Sequence, residues 1–223
     1  MRLTAVRCRI RPMELRDIPQ AMEIERQSFP TMWPQTVYQR EIKNRMARYL
    51  VAYQPLDDER APERGDDGEA TEHGVGGLVR RLLGSQAVDT AERVLGTIGV
   101  WFMMGEGHVV TIAVDPEYRR LGIGELLLIA GLEAALEAQQ ETVTLEYRIS
   151  NLAARAMYEK YGFTQVGVRA RYYTDSQEDA VLMTTPPLRS PEYRKLLAQR
   201  IAEQRERWAG DYPLAGRALR LDG

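Results

Sequence analysis

The feature that most constrains the fold is a nearly apolar run at residues 109–114 that leads directly into a long aliphatic segment. The run Val-Val-Thr-Ile-Ala-Val is typical of a central strand that is covered on both faces. Asp115 and Pro116 end it, and residues 122–139 then place leucines and alanines on most sides of a predicted helix. A strand and a helix of this kind both need covering layers, which predicts a mixed α/β domain.

The remaining segments alternate between predicted strands and helices. Strands are predicted at residues 5–10, 48–53, 94–103, 143–149, 164–170 and 179–183, and helices at residues 17–27, 35–44 and 151–161. With the central strand and helix, the order is β-α-α-β-β-β-α-β-α-β-β. This order predicts a mixed, mostly antiparallel central sheet flanked by helices.

One internal segment departs from this alternation. Residues 55–77 contain eight acidic residues, five glycines and no aromatic residue. Such a composition buries too little apolar surface to offset the entropy of ordering the chain. We therefore expect an acidic, mobile insertion at about residues 55–93, with one short helix in residues 78–93.

The C-terminal part also differs from the rest. After Pro186 and Pro187, residues 191–208 form a predicted amphipathic helix with Ser190 as its N-cap. We therefore predict a domain at residues 1–185, followed by an extension at residues 186–223.

The composition excludes several classes of function. A formal net charge of −2 does not fit a protein that binds nucleic acid or an anionic membrane, because both need a dense basic face. One cysteine, Cys8, and two histidines, His73 and His108, exclude a disulfide framework and a multi-thiolate or multi-histidine metal site. The longest aliphatic stretch is far shorter than the roughly 20 residues of a membrane span. Since the arginine-rich N-terminus carries no secretory signal, the expected location is the cytoplasm.

The connection between the central strand and the long helix is a candidate anion site. Gly122 and Gly124 let a ligand approach the backbone, and unpaired amides at a helix start suit a phosphate. Arg119 and Arg120 add positive charge. An ordinary helix start with solvated arginines fits these residues equally well. The pattern matches neither the lysine-bearing phosphate loop nor the three-glycine dinucleotide motif.

The strand and the connection that follows it resemble the GNAT superfamily of N-acetyltransferases. Arg119-x-x-Gly122-x-Gly124 after an apolar strand resembles the acetyl-CoA pyrophosphate loop of that superfamily. Residues 145–151, 153–154 and 157–163 are similar to its RimI-type branch, which acetylates the N-terminal alanine of a small-subunit ribosomal protein. Residues 10–13, 28–30, 171–173 and 178–180 continue the likeness, which covers most of residues 4–185.

Three segments depart from the family pattern: residues 31–34, the acidic insertion and the C-terminal extension. Because the insertion lies between the second and third predicted strands, we expect it to affect the substrate entrance and not the cofactor loop.

The resemblance implies acetyl-CoA as co-substrate, no metal, and a set of site residues. Glu146 is implied as the general base and Tyr158 as the general acid, while Tyr172 and Tyr173 are expected to line a peptide groove. The residues expected at the cofactor are Ile112, Ala113, Val114, Arg119, Arg120, Leu121, Gly122, Ile123, Gly124, Glu125 and Asn151.

Elementary chemistry is compatible with these roles. An α-amino group with a pKa near 7.8 is roughly 10–20% neutral at pH 7, whereas a lysine is less than about 0.1% neutral. A weaker general base is therefore sufficient for a protein N-terminus than for a lysine. Alternation along the strand places Glu146 on the face of Thr144 and Arg148. Proton transfer from a tyrosine to a thiolate is uphill by about 2 kcal/mol.

Structural roles remain open for several of these residues. Tyr158 can serve as core packing, and Asn151 suits the N-cap of its helix. We expect His108 and Cys8 to be structural, since neither has an evident catalytic partner in the sequence. The absence of a covalent nucleophile favours direct transfer in a ternary complex.

The leading hypothesis is transfer from acetyl-CoA to a protein N-terminus, with a ribosomal protein that begins with alanine as the candidate. A first alternative is a small-amine acetyltransferase for a polyamine or an aminoglycoside-like antibiotic, which the acidic insertion would attract. A second alternative is a non-catalytic module that binds acyl-CoA and contacts a partner through Leu196, Leu197, Ile201 and Trp208, although we expect these side chains to pack against their own domain.

Overall fold

The computed structural model describes residues 7–29, 36–55 and 92–208, which form a seven-stranded sheet with helices on both faces. The strands are β1 (Arg9–Pro12), β2 (Ala47–Pro55), β3 (Glu92–Met103), β4 (Glu106–Val114), β5 (Thr142–Arg148), β6 (Thr164–Tyr173) and β7 (Glu178–Thr184). The helices are α1 (Ile18–Ser28), α2 (Tyr38–Glu41), α3 (Ile123–Glu137), α4 (Leu152–Lys160) and α5 (Pro191–Arg207). Their order confirms the predicted alternation and the predicted fold class.

The strands lie in the order β1-β2-β3-β4-β5-β7-β6, and every neighbouring pair is antiparallel except β4 and β5. The parallel ladder joins residues 106–109 to residues 142–145 and then stops. Both strands continue beyond it, β4 to Val114 and β5 to Arg148. The two strands therefore diverge and leave a gap in the middle of the sheet.

Each face of the sheet has its own apolar core, because side chains alternate along every strand. On β2, Leu50 and Ala52 pack in the core that α3 covers, whereas Tyr49 and Val51 pack in the core that α1 covers. All residues from 126 to 135 of α3 are buried, as the aliphatic sequence predicts. In the described ranges, no helix is both long and apolar enough to cross a membrane.

The second predicted helix is much shorter than the sequence indicates. We expected residues 35–44, but the helix contains only Tyr38–Glu41. Tyr38 is buried and contacts the Tyr49 ring edge-on, with the ring centroids 5.7 Å apart. Packing of one aromatic side chain, and not helix propensity, therefore holds this segment in place.

The C-terminal helix packs on the core that α3 covers. Tyr193, Leu197 and Ile201 belong to this core, and Tyr193 Oη donates a hydrogen bond to the Tyr161 carbonyl at 3.1 Å. Ser190 is the N-cap, as predicted, and its Oγ accepts a hydrogen bond from the Tyr193 amide at 3.3 Å.

The helical stripe proposed to contact a partner is therefore turned inward. Leu197 and Ile201 are buried, and Leu196 and Trp208 pack partly buried against the same core. The expected packing of these four residues against their own domain is confirmed, and the alternative of a partner-facing stripe is wrong, because α5 covers the apolar surface of its own domain.

The acidic insertion lies between β2 and β3 in the chain, as predicted. It is shorter than the predicted residues 55–93, because residues at both ends of that range belong to the strands. Pro55 and Glu92 pair with each other at the ends of these strands. Residues 92–93 are thus part of β3, and not part of the helix expected at residues 78–93. Residues 56–91, which hold the rest of the insertion and of that helix, lie outside the described residues.

The base of the insertion lies beside the connection that follows β4. A guanidinium nitrogen of Arg93 is 2.8 Å from Glu117 Oε2 and 3.3 Å from Asp115 Oδ2. The insertion therefore starts closer to the predicted cofactor loop than its position in the sequence indicates.

Candidate active site

A cavity of about 550 Å³ opens where β4 and β5 diverge. Both strands, the start of α4, the end of β6 and the segments around α1 and α2 form its walls. Six of the residues predicted for the site line it, namely Ile112, Glu146, Asn151, Tyr158, Tyr172 and Tyr173. The fold thus brings together residues that lie up to 61 positions apart in the sequence.

Glu146 lies on β5 with 8% of its side chain exposed, and the side chains of His108 and Arg169 approach its carboxyl group. Its Oε2 is 3.1 Å from His108 Nε2, and its Oε1 is 3.0 Å from a guanidinium nitrogen of Arg169. Burial raises the pKa of Glu146, but the hydrogen bond with His108 and the charges of His108 and Arg169 outweigh it, so the net pKa is lowered. The carboxyl group is therefore ionised at neutral pH.

His108 connects Glu146 to a second carboxylate. Its Nδ1 is 2.9 Å from Thr144 Oγ1, which donates a hydrogen bond to Glu106 Oε1 at 2.8 Å. These contacts join the two carboxylates through His108 and Thr144, across the paired strands β4 and β5.

The expectation that His108 has no acidic partner is wrong. The parallel register pairs His108 with Thr144, and Glu146 follows two residues further along β5 on the same face. Which residues pair across two strands cannot be predicted from a single sequence. The sequence nevertheless contains a pattern that indicates a polar face on both strands. Glu106 and His108 on β4 alternate with apolar residues, and so do Thr144 and Glu146 on β5. The predicted common face of Thr144 and Glu146 is confirmed.

Tyr158 serves as core packing and also lines the cavity. It is 4% exposed, and its ring centroid lies 5.8 Å from those of Tyr147 and Phe163. Burial, followed by the charges of Tyr173 and Tyr147, raises the pKa of Tyr158. The hydroxyl group therefore keeps its proton at neutral pH, and complete transfer to a thiolate costs more than the unperturbed pKa values indicate.

Asn151 occupies the position expected of an N-cap. Its Oδ1 accepts a hydrogen bond from the Ala154 amide at 3.1 Å and so begins α4 at the cavity wall.

The two tyrosines of the predicted peptide groove lie at the end of β6. This strand runs to Tyr173, three residues beyond the predicted end, because Tyr173 pairs with Glu178 on β7. The rings of Tyr172 and Tyr173 are perpendicular, with centroids 5.3 Å apart, and the Arg148 guanidinium lies 4.0 Å from the Tyr173 centroid. Burial raises the pKa of Tyr173 to about 12. Both tyrosines are thus held in place beside the cavity.

The predicted cofactor loop leads into α3 next to this cavity. Gly122 is the N-cap with a φ of 95°, a conformation that favours glycine. The Leu126 amide donates to the Gly122 carbonyl, so the amides of residues 123–125 have no acceptor within the helix. Arg119 joins the loop to the cavity wall, since it donates to the Val114 carbonyl and to Ser28 Oγ, both at 3.1 Å.

Several loop residues can offer only their backbone to a ligand. Leu121 and Ile123 direct their side chains into the core. The Glu125 carboxylate accepts hydrogen bonds from Lys160 Nζ, from Tyr161 Oη at 3.0 Å and from Gln204 Nε2 at 2.8 Å. Glu125 therefore ties α3 to α4 and α5, and its amide is the group that could face a phosphate.

The site fits a nucleotide that carries a thioester. Beyond residue 109, β4 has no β5 partner in the described ranges, so an extended ligand could pair with the backbone of residues 110–114. Thr111 Oγ1 is buried without a hydrogen-bond partner and belongs to a residue that lines the cavity. The loop amides and arginines suit a diphosphate. The described part of the chain holds no group of three or more His, Cys, Asp or Glu side chains placed to bind a metal ion.

Comparisons with known proteins identify the family. The model of the acetyltransferase (GNAT) family matches residues 18–163. The N-alpha-acetyltransferase of Sulfurisphaera tokodaii is 36% identical over 179 residues, which are 80% of this chain and 92% of that protein. The [ribosomal protein bS18]-alanine N-acetyltransferase of Escherichia coli K12 is 41% identical over 86 residues, which are 38% of this chain and 58% of that protein.

A solved structure is similar over most of the fold. The crystal structure of the ribosomal-protein-S18-alanine N-acetyltransferase from Escherichia coli has a TM-score of 0.57 and 25% identity, and the match covers 81% of this chain and 94% of that one. The chain is therefore a member of the acetyltransferase (GNAT) family and an N-acetyltransferase that uses acetyl-CoA.

Proposed function

We propose that this enzyme acetylates the N-terminal α-amino group of a protein, and that ribosomal protein bS18 with an N-terminal alanine is its substrate. The observation that carries the proposal is the contact between Glu146 and His108, 3.1 Å long, in the wall of the cavity beside the cofactor loop. The names of the relatives support it, because both act on protein N-termini.

The wall of the cavity presents carboxylates to a terminal ammonium group. Ionised Glu146 lines the cavity, as does Glu41, which accepts a hydrogen bond from Trp101 Nε1 at 2.8 Å. Trp101 and Tyr172 line the same cavity and offer aromatic faces that attract cations. An amine can therefore enter in its charged form and lose its proton inside.

Glu146 is the group we assign to removal of that proton, and His108 is its positioning residue. The ammonium group first gives one proton to Glu146, directly or through one water, which frees the lone pair of the nitrogen. The neutral nitrogen then forms a bond with the thioester carbonyl carbon as the bond from carbon to sulfur breaks, and the second proton that the nitrogen loses passes to the departing thiolate. The lowered pKa of Glu146 makes it a weak base, but an α-amino group with a pKa of about 7.7–8.0 needs only a weak one. His108 orients the Glu146 carboxylate through the contact of 3.1 Å.

Tyr158 is the group we assign to the departing thiolate. Its raised pKa keeps the hydroxyl protonated, so that it can donate a hydrogen bond to the sulfur as negative charge develops there. Donation in step with bond cleavage avoids the cost of a separate phenolate in a buried position.

The acceptor is tested with three substrates. Purified enzyme receives acetyl-CoA together with a bS18 N-terminal peptide that has a free alanine, the same peptide with a blocked N-terminus and an internal lysine, or spermidine. We expect acetylation of the free peptide alone. Comparable kcat/KM values for the blocked peptide, with the acetyl group on lysine, or for spermidine would contradict the proposed acceptor. Mass spectrometry of bS18 from cells with and without the gene extends the test to the whole protein.

A further inference from the structure

The last turn of α5 lies against the start of α3. A guanidinium nitrogen of Arg207 donates a hydrogen bond to the Arg120 carbonyl at 3.3 Å. Three guanidinium atoms of Arg207 lie 3.1, 3.2 and 3.4 Å from the position that a Cβ atom on Gly122 would occupy. A cation from the C-terminal extension is thus in contact with the backbone of the predicted cofactor loop.

Arg207 is loosely held by its acidic neighbour. Its Nη1 is 3.6 Å from Glu125 Oε1, and 46% of its side chain is exposed. The other carboxylate oxygen of Glu125 accepts from Lys160, Tyr161 and Gln204. A guanidinium group has five N–H donors, so Arg207 retains donors for an anion that approaches from solvent.

The loop already combines the other parts of a phosphate site. The amides of residues 123–125 have no acceptor within α3, and Gly122 presents no side chain between them and solvent. Arg119, by contrast, is tethered to the Val114 carbonyl and Ser28. Arg207 is therefore well placed to supply planar, charge-assisted hydrogen bonds to a phosphate at these amides.

We propose that Arg207 binds the diphosphate of acetyl-CoA, so that the C-terminal extension completes the coenzyme site. The inference rests on the proposed function and on the assignment of residues 119–125 to the phosphates, which the family resemblance implies. It goes beyond that assignment because the match to the family ends at residue 163.

Calorimetry with Arg207→Gln tests this role. The affinities of CoA, dephospho-CoA and pantetheine, which lacks phosphate, are measured for each variant. We expect Arg207→Gln to weaken CoA and dephospho-CoA about tenfold each and to leave pantetheine unchanged, because one charge-assisted contact is lost. Arg207→Lys keeps the positive charge but lacks the planar guanidinium group. We expect it to weaken CoA binding about threefold, which is half of the tenfold loss on a logarithmic scale.

Arg189→Gln is the matched control. Arg189 is also exposed and also donates to a backbone carbonyl, that of Leu136 at 3.1 Å, but at the opposite end of α3. We expect wild-type affinity for all three ligands. Unchanged CoA affinity in Arg207→Gln, or an equal loss for CoA and pantetheine, overturns the inference. A loss for CoA but not for dephospho-CoA overturns the assignment to the diphosphate.

A second experiment needs no substitution and so does not depend on the folding of a variant. Wild-type enzyme is labelled with phenylglyoxal, which modifies arginines, and the labelled positions are found by mass spectrometry. We expect CoA, but not pantetheine, to protect Arg207, while Arg189 is labelled equally in all samples. Equal labelling of Arg207 with and without CoA overturns its role. Failure of the wild-type enzyme to bind CoA would instead contradict the proposed function itself.

Discussion

At the scale of single residues, the charge state of Glu146 depends on its neighbours and not on burial alone. Burial raises its pKa, whereas His108 and Arg169 lower it by more. Since the folded pKa lies below the value of about 4.3 in an unfolded chain, ionised Glu146 stabilises the fold above that pH. This contribution is lost as the pH falls through the lowered folded pKa.

Replacement of Glu146 by Gln removes the proposed base and keeps the size of the side chain. We expect kcat/KM to fall by about 10²–10⁴-fold and its pH profile to move upward, because the amine must then lose its proton to solvent. Initial rates from pH 6 to 10 measure both effects. Glu106→Gln is the control, since Glu106 is exposed and contacts only the far end of the network, and we expect less than about a tenfold loss. A wild-type profile in Glu146→Gln would exclude it as the base.

Replacement of Tyr158 by Phe keeps the ring contacts with Tyr147 and Phe163 and removes only the hydroxyl group. We expect kcat to fall about 10²-fold while the affinity for CoA stays unchanged, because the hydroxyl acts on the leaving thiolate. Single-turnover kinetics and calorimetry separate the two quantities. Near-wild-type turnover would leave Tyr158 with packing alone.

The sequence identified six of the residues that line the cavity but not the partner of Glu146. Glu146, Asn151 and Tyr158 lie within one segment of 13 residues whose spacing along a strand, a turn and a helix is regular. His108 comes from a different strand, and its proximity to Glu146 depends on the parallel register of β4 and β5. Local patterns specify the face on which a side chain lies, but only tertiary pairing specifies what lies opposite.

At the scale of elements, α5 is part of the domain and not an appendage. Tyr193, Leu197 and Ile201 are buried in the same core as α3. A Cβ atom on Gly162, which has a φ of 81°, would lie 2.8 Å from Leu196 and 3.1 Å from Tyr193. The end of α4 is therefore shaped to receive α5.

Leu197→Ala tests how much the packing of this helix contributes to the stability of the protein. We expect the free energy of unfolding to fall by about 2–5 kcal/mol, because the substitution removes buried apolar atoms and leaves a cavity. Lys195→Ala, on the exposed face of the same helix, should change it by less than about 0.5 kcal/mol. Urea denaturation followed by circular dichroism measures both. Equal effects would show that α5 is not held by its apolar face.

The sequence predicted most elements to within a few residues because their periodicity is strong. The aliphatic segment of α3 and the capped start of α5 are clear examples. The failure at α2 has a physical reason, since Tyr38 holds that segment by contact with Tyr49, and no local signal marks the end of the helix.

At the scale of the whole molecule, the gap between β4 and β5 joins the two sides of the domain. α3 and α4 lie on one side of it and contribute the loop and Tyr158, while α1 and α2 border the cavity from the other side. A ligand in the gap would therefore contact groups from both cores.

CoA should stabilise the folded enzyme as a unit. At a free concentration of about 100 times its Kd, a ligand that binds only the native state adds about 2.7 kcal/mol to the free energy of unfolding. For a protein of this size we expect Tm to rise by about 5–11 °C in differential scanning fluorimetry. Adenosine at the same concentration is the control and should have little effect, as it lacks phosphate and pantetheine. An unchanged Tm with saturating CoA would show that the ligand does not bind the native protein.

The short parallel ladder also has a consequence for the dynamics of the empty enzyme. Among the residues that the structure describes, backbone amides of residues 110–114 that point toward β5 have no strand partner there, so they should exchange with deuterated solvent much faster than those that point toward β3. A ligand that pairs with this edge would slow their exchange while the outer ladders stay as they are. The unpaired edge of β4 would then be the part of the sheet whose hydrogen exchange reports the binding of acetyl-CoA.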